Sequence, residues 1–442
     1  MKALAATPKY EAYKDSGVKW LGKIPESWDI LPGKRFHRVV KIPNSNKLCS
    51  DVLSLTLRGV VNNDPENPEG LIPKDYGTYQ FFEKDNLVFK LIDLENLRTS
   101  RVGLVHQRGI MSPAYIRLIA GSDFDPKYLY YYYYDLYLNS VYNNLGEGVR
   151  STLTPTDLLL IPSIKPKSEE QTTIANFLDQ KTSQIDQAIA IKEKQITLLK
   201  ERKQILIQNA VTHGLNPDVH MRNSGVEWIG EIPEHWRIRR LASFGFFSKG
   251  GGFSKSDLTE NGISAVLYGD IYTKYEYVID SVERNISPVV ANNSVKLHRG
   301  DLLFTGSGET KEDIGKCVVF DSNEEAVAGG DVIIFKQKEN NKLFLSYCLN
   351  THGIILQKAK SSKGEIIVHT YASKLRELYI PIPPIDEQAG IAHYITKELS
   401  KIDKAITLQQ QQIEKLKEYK TTLINSAVTG KIKVIDQNIE GL

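Results

Sequence analysis

The stretch "IDQAIAIKEKQITLLKERKQILIQNAVT", Ile185 to Thr212, recurs without a gap as "IDKAITLQQQQIEKLKEYKTTLINSAVT", Ile402 to Thr429, with fifteen of twenty-eight positions identical. Both copies carry heptads. In the first, one seam position holds Leu178, Ile185, Lys192, Leu199 and Leu206, and the other holds Thr182, Ile189, Ile196, Lys203 and Ala210. A shift of 217 gives Ile395, Ile402, Gln409, Leu416 and Leu423, with Leu399, Ile406, Ile413, Lys420 and Ala427. Seven of these ten seam residues match. Ser168 with Gln171 three residues on reads as a capping box opening the first helix, and Gly214 and Gly430 are stop signals. Each helix then runs about 44 residues, roughly 65 Å.

The direction of the pair follows from what must join them. The block from about 214 to 385 links the end of the first helix to the start of the second, and a domain of that size has a radius of gyration of about 15 Å. It does not span 65 Å, so an antiparallel pair, with those two ends adjacent, is predicted. The other large block then sits at the opposite end of the pair.

Outward from the helices, "DSGVKWLGKIPESW", Asp15 to Trp28, returns as "NSGVEWIGEIPEHW", Asn223 to Trp236, nine of fourteen residues unchanged. The order is Trp motif, long variable block, helical block, then the same three again. All four tryptophans, Trp20, Trp28, Trp228 and Trp236, fall in these motifs. Base stacking is one use for them; packing each block against a helix end is the reading preferred here. The variable blocks also match distantly, at an offset of 216 that places Leu129 on Leu345, Gly148 on Gly364 and Thr154 on Thr370. Short β-like runs such as "NLVFK", "YIRLIA", "DLLFTG" and "DVIIFK" between Gly-, Asn- and Asp-rich turns predict irregular sheets. The fold class is therefore α+β, two α+β domains at opposite ends of a long antiparallel two-helix coiled coil. The boundaries expected are 1–165, 166–214, 215–384 and 385–442. Tyr130 to Tyr134 are read as packing residues, because contiguous positions cover every side of a helix.

At 442 residues the chain exceeds what one core organises. No apolar run approaches the length of a membrane span and the first ten residues lack a signal-peptide core, so a cytoplasmic location is expected. Cys49, Cys317 and Cys348 are odd in number and far apart, against a disulfide framework or a zinc knuckle. Residues 1–165 carry 21 basic and 18 acidic side chains, residues 214–385 carry 20 and 21. Any nucleic-acid binding must rest on local basic faces, not on overall charge.

With "SGVKWLGKIPESW" and "SGVEWIGEIPEHW", the domain-closing "IPSIKPKSEEQTTIANFL" and "IPIPPIDEQAGIAHYI", and the helical blocks ending "NAVTHG" and "SAVTGK", the chain resembles the specificity subunit of a type I restriction-modification enzyme over essentially its whole length. The resemblance implies two target-recognition domains, each reading half of a split, asymmetric sequence in double-stranded DNA. It also implies a noncatalytic chain that recruits two modification (methyltransferase) subunits and restriction/translocase subunits. S-adenosylmethionine, ATP and magnesium belong to those partners, with no cofactor in this chain. One departure is "IPSIKPKSEEQ", where the proline pair of "IPIPPIDEQ" is altered. Two readers on a stiff rod engage a major groove at separations set by the helical repeat of about 34 Å, and two diverged readers imply a target that is not a palindrome.

Among loop residues suited to bases or phosphates, the DNA-binding candidates are Arg58, Arg98, Arg101, Arg108 and Arg150 in the first block and Lys249, Lys255, Lys311, Lys316 and Lys363 in the second. The Gly250-Gly251-Gly252 run permits close backbone approach or is a plain turn. Ile191, Leu198 and Ile205 recur every seven residues off the seam, a stripe that the seam does not bury, and are assigned to a modification subunit. Two rivals are weighed: a noncatalytic scaffold for protein ligands, and a metal-dependent nuclease using Asp301, Glu309 and Lys311. "GSGETKEDIGK" fits no phosphate-loop register and reads as a polar turn. The nine histidines show no metal-ligand spacing.

Overall fold

A computed structural model describes residues 7–64, 75–95, 99–145, 152–308, 314–361 and 368–435. Two helices dominate, Ser168–His213 of 46 residues and Ile385–Val428 of 44. The chain divides into two compact units, Met1–Glu193 with Gln410–Leu442, and Lys194–Gln409, so each unit owns part of both helices.

Within each unit the helices run antiparallel, as the repeat requires. In the first unit Ile174, Leu178 and Ile185 share a core with Leu423, Ile424, Ala427 and Val428. In the second, Ile207, Ala210 and Val211 share one with Ile391, Ile395 and Leu399. Seam residues Ile402, Ile406 and Ile413 are buried, and Ile189, Ile196, Leu199, Leu206 and Leu416 are partly so. The seam lysines that the repeat conserves, Lys203 and Lys420, pair reciprocally. Lys420 Nζ donates to Asp186 at 2.6 Å in the first unit and Lys203 Nζ to Asp403 at 2.8 Å in the second. Both residues of one pair map onto the other by the shift of 217, which only an antiparallel repeat allows.

The helix stops are as the glycines predict, with Gly214 at φ +76° and Gly430 at φ +71°, conformations that side chains with a Cβ disfavour. Both also meet a tryptophan: a Cβ on Gly430 would lie 3.2 Å from the Trp28 ring, and one on Gly214 3.1 Å from Trp236. The helix start differs from expectation. Gln171 forms no capping box with Ser168; it is fully buried, its Nε2 donating to the carbonyls of Asp123 and Pro166 while its Oε1 accepts from Asp125 N. The neighbouring domain offers three unsatisfied backbone groups, and these outcompete a local cap.

The first unit holds two four-stranded sheets. One orders Gly59–Asn63, Val52–Thr56, Gly109–Met111 and Gln80–Phe82; the other orders Arg38–Val39, Ile116–Ile119, Leu87–Phe89 and Val102–Leu104. Leu53, Phe82, Val88 and Met111 fill the space between them. The helix Pro126–Leu138, capped by Asp125, lies against the second sheet and the long helix. Its tyrosine run is packing, as read: Tyr131, Tyr132 and Tyr133 are buried, and Tyr131 Oη donates to Asp179 at 2.8 Å.

The second unit has two five-stranded sheets. One runs Phe246–Lys249, Val332–Lys336, Leu302–Thr305, Cys317–Phe320, Val278–Ile279; the other Leu258–Thr259, Asn285–Ile286, Ile263–Val266, Ala326–Ala328, Val295–Lys296. In each unit a strand following the Trp motif pairs with the strand that leads into a long helix: Asp29–Pro32 with Pro162–Lys165, and Arg237–Arg240 with Tyr379–Ile382. That pairing closes each domain onto its helix despite the altered prolines of the first joint.

Candidate nucleic-acid interface

A reading surface needs a rigid base, and each unit builds one from the same parts. Trp28 is fully buried and its indole N–H donates to Glu170 Oε2 at 3.0 Å; Trp236, 1% exposed, donates to Glu387 Oε2 at 2.9 Å. Both glutamates sit in the first turn of a long helix, where the exposed backbone N–H groups favour a carboxylate. Gln388 repeats the grip of Gln171, donating to Asn340 Oδ1 and the Pro383 carbonyl and accepting from Asn341 N. Asp125 and Asn341, the backbone groups so held, are the N-caps of equivalent domain helices. These two tryptophans are therefore joints and not base stackers. Glu170, Glu387 and Gln388 escape sequence reading because their partners are remote in the chain.

In the first unit Arg58 is exposed at the tip of the hairpin joining Val52–Thr56 to Gly59–Asn63. Arg108 is also exposed, its guanidinium 5.4 Å over the Phe81 ring and its Nε 3.6 Å from Glu83. Arg101 corrects the sequence expectation. It is 1% exposed, donates to the carbonyls of Ile92 and Asp93, and holds its own loop together in place of reaching a groove. Arg98 and Arg150 lie outside the described residues. The backbone beside them is tied, with Leu153 N donating to Leu91 O at 2.9 Å and Asn143 Nδ2 to Leu94 O at 3.2 Å.

In the second unit Lys249 is exposed, 3.9 Å from Asp331, and Lys255 is exposed in the turn Lys255–Asp257. Lys316 is a second correction: its Nζ donates to the carbonyls of Tyr272 and Tyr275 and fastens a turn from within. Lys311 and Lys363, with Glu309, lie outside the described residues. The short strands next to them, Ser307–Gly308 and Val368–His369, pair with one another, and Ser307 Oγ lies 3.0 Å from His369 Nδ1. Of the glycine run, Gly250 is a close approach and not slack chain, since a Cβ there would lie 2.2 Å from the Gly329 carbonyl oxygen. Asp301 is 6% exposed; it accepts from His298 N at 2.9 Å and sits 3.5 Å from Lys336 Nζ, which makes it a turn-holding carboxylate. Among the described residues no cluster of three His, Cys, Asp or Glu could hold a metal ion.

The sequence candidates, chosen as basic loop residues, omit the exposed aromatics of the second unit, among them Tyr268 at 37% and Tyr371 at 55%. On the helix Ser168–His213, Ile191, Leu198 and Ile205 are 60%, 53% and 60% exposed, so the described residues leave that stripe uncovered. No helix among the described residues is long and apolar enough to cross a membrane.

Residues 233–418 match the family model described as the type I restriction modification DNA specificity domain. Over 449 aligned residues, 96% of this chain and 98% of the relative, the chain is 27% identical to the type I restriction enzyme MjaVIII specificity subunit of Methanocaldococcus jannaschii. Among solved structures, a chain from work on complex assembly and conformational transition of the type I R-M system aligns with TM-score 0.70 at 13% identity, covering 92% of this chain and 99% of that one. The HsdS subunit from Thermoanaerobacter tengcongensis aligns with TM-score 0.51 at 14% identity, covering 95% and 100%. At such identities the likeness to solved structures speaks for the fold.

Proposed function

We infer that this chain, a noncatalytic specificity subunit of the type I restriction-modification kind, recognises duplex DNA as two separate segments, one taken by each α+β unit. One observation carries the reading: the base joining each domain to its long helix is built twice from equivalent residues, while the rims that base supports differ in every exposed candidate. A common base with unlike rims fits two readers of unlike sequence, so the target is split and not palindromic. Linking two weak readers in one chain raises the effective concentration of the second, which supplies affinity to units without strong net charge. In the first unit Arg58 and Arg108, and in the second Lys249 and Lys255, are assigned to DNA; Arg98, Arg150, Lys311 and Lys363 are retained from the sequence as loop candidates.

The chemistry belongs to partners. Two methyltransferase subunits bring S-adenosylmethionine, and restriction subunits bring ATP and magnesium, in the cytoplasm where the DNA is. The stripe of Ile191, Leu198 and Ile205 is assigned to one modification subunit. At the corresponding positions the second helix has Leu408, 53% exposed, then Lys415 and Thr422, so the two modification subunits meet unlike faces.

Mapping methylated adenines in host DNA tests the reading: two specified segments with unspecified bases between them are expected, and a contiguous or palindromic target refutes it. Replacing Ile191, Leu198 and Ile205 together with Gln abolishes co-purification of the methyltransferase while the chain stays folded by circular dichroism. Retained co-purification removes that surface from the account.

A further inference from the structure

Tyr371 breaks a local rule. It is the N-cap of the short helix Ala372–Leu375, has extended backbone (φ −133°, ψ 153°), and makes no side-chain bond to the first turn. N-caps favour Ser, Thr, Asp or Asn, whose oxygen accepts one of the helix's unpaired N–H groups. The other unit obeys the rule at its equivalent helix, Pro155–Leu160. There Thr154 accepts from Asp157 N at 3.2 Å and Asp157 accepts in return from Thr154 N. The second unit keeps that threonine as Thr370, buried one residue ahead of its own cap, and at the next position, Pro155 in the first unit, it has a phenol 55% exposed. Local rules tend to be broken where function requires another residue.

Tyr268 stands at the first position of the helix Tyr268–Thr273, after the N-cap Leu267, whose N–H donates to Asp270 Oδ2 at 3.3 Å. The two tyrosines share one rim, because direct bonds link their neighbours. Gly329 N donates to Val266 O at 2.9 Å, Gly251 N to Ala328 O at 3.0 Å, and Gly250 N to Val332 O at 2.8 Å. Gly306 N donates to Asp331 O at 2.7 Å, and Thr370 N to Gly306 O at 3.0 Å. Tyr272 Oη, one turn on from Tyr268, donates to Ser307 O at 2.7 Å. Lys249, adjoining Gly250, stands on this rim with Asp331 as its acidic neighbour. Neither the Tyr268 nor the Tyr371 hydroxyl has a hydrogen-bond partner among the described residues.

A tyrosine offers broad, rigid contact area at small entropic cost, and a hydroxyl that can give or accept one hydrogen bond. Against duplex DNA the ring covers a sugar or a thymine methyl, and the hydroxyl reaches a base edge or a phosphate. We propose that Tyr371 and Tyr268, with Lys249 beside them, are DNA-contacting residues of the second unit. The proposal rests on the DNA-reading function inferred above and adds to it the residues through which one half of the target is read.

Tyr371→Ser is the decisive variant, because it restores a favoured N-cap while deleting the contact. The full chain, assembled with its modification subunits, is offered a library of randomised duplex DNA, and bound sequences and affinities are compared with those of the unsubstituted assembly. The expected result is an equal or higher thermal midpoint, about tenfold weaker binding to the duplex the unsubstituted assembly selects, and base preference lost at one segment only. Tyr371→Phe keeps the ring and loses less. Unchanged affinity and preference in Tyr371→Ser, or a lowered thermal midpoint, overturns the assignment. Failure of the unsubstituted assembly to select any sequence instead refutes the DNA-reading function, a separate and distinguishable outcome.

Discussion

Tyr142 in the first unit and Lys358 in the second occupy equivalent positions, and each gives its polar end to an equivalent carbonyl. Tyr142 Oη donates to Tyr133 O at 2.8 Å and Lys358 Nζ to Leu349 O at 2.8 Å. Both side chains are buried. The neutral phenol loses little by burial, whereas burial lowers the Lys358 amine to about 8. A similar contrast runs through the joints. Glu170 receives a Tyr10 hydroxyl beside its indole, and Glu387 receives His235 Nε2 at 2.7 Å. His37, beneath the first unit's sheet, corresponds to Gly245, where a Cβ would lie 2.4 Å from the Phe335 ring. What the two units share is the attachment to the helices; what fills each domain behind it was free to change where, as at these positions, the buried polar end kept a partner.

This contrast can be broken most forcefully at the shared part. Trp28→Ala and Trp236→Ala each remove a buried indole and its bond to a helix glutamate, and each should cost about 3–5 kcal/mol in its own unit. Urea unfolding read by limited proteolysis and mass spectrometry reports the units separately. Equal losses, each confined to one unit, confirm the joints as equivalents; a loss that spreads to the other unit contradicts their independence.

The private interior of the first unit is exposed by acid. Burial lowers the His37 imidazole to about 4, and it stays neutral between Gly121 N, which donates to Nδ1, and Ser163 Oγ at 3.1 Å from Nε2. Between the ordinary histidine value and 4 the unfolded chain binds the extra proton, so this group removes stability as pH falls. Asp135 acts in the opposite sense. Burial raises its carboxyl to about 6, so the folded unit binds that proton first and gains stability over nearly the same range. The unsubstituted unit should change little between pH 6.5 and 4. Asp135→Asn, with His37 unopposed, should lose roughly 3 kcal/mol over that interval in urea titrations of the first unit. A flat profile in the variant would mean that His37 gains a partner when protonated.

The smallest effect belongs to the second unit in alkali. Above pH 8 folded Lys358 gives up its proton while the unfolded chain keeps it to about 10.5, so this group alone should add about 1 kcal/mol between pH 8 and 9, read as the difference in urea stability between the unsubstituted chain and Lys358→Met, in which the thiols cancel. In the unsubstituted unit the Cys317 and Cys348 thiols, both raised by burial, offset most of that gain from about pH 8 and outweigh it above pH 9, because the unfolded chain releases protons that the folded unit holds. The first unit, with Tyr142 in place of the lysine, should show no rise from this position.

The amino-acid sequence alone determined the repeat, the antiparallel helix pair, their stops at Gly214 and Gly430 and the α+β character of both units. Heptad spacing, strand alternation and duplicated motifs are written in neighbouring residues or in a constant offset. The reciprocal pairs Lys203–Asp403 and Lys420–Asp186 were implicit there too, since a repeat folded antiparallel must pair its charges crosswise. Only the tertiary structure decided which polar residues face outward. Arg101 and Lys316 look like readers in the chain and are turned inward by backbone carbonyls that need donors. Gln171 looks like a cap and instead grips Asp125, 46 residues away, and Glu170 meets Trp28 across 142 residues. A side chain's nearest unsatisfied partner in space, and not its neighbours in sequence, settles its use, and that partner exists only once the chain has folded around it.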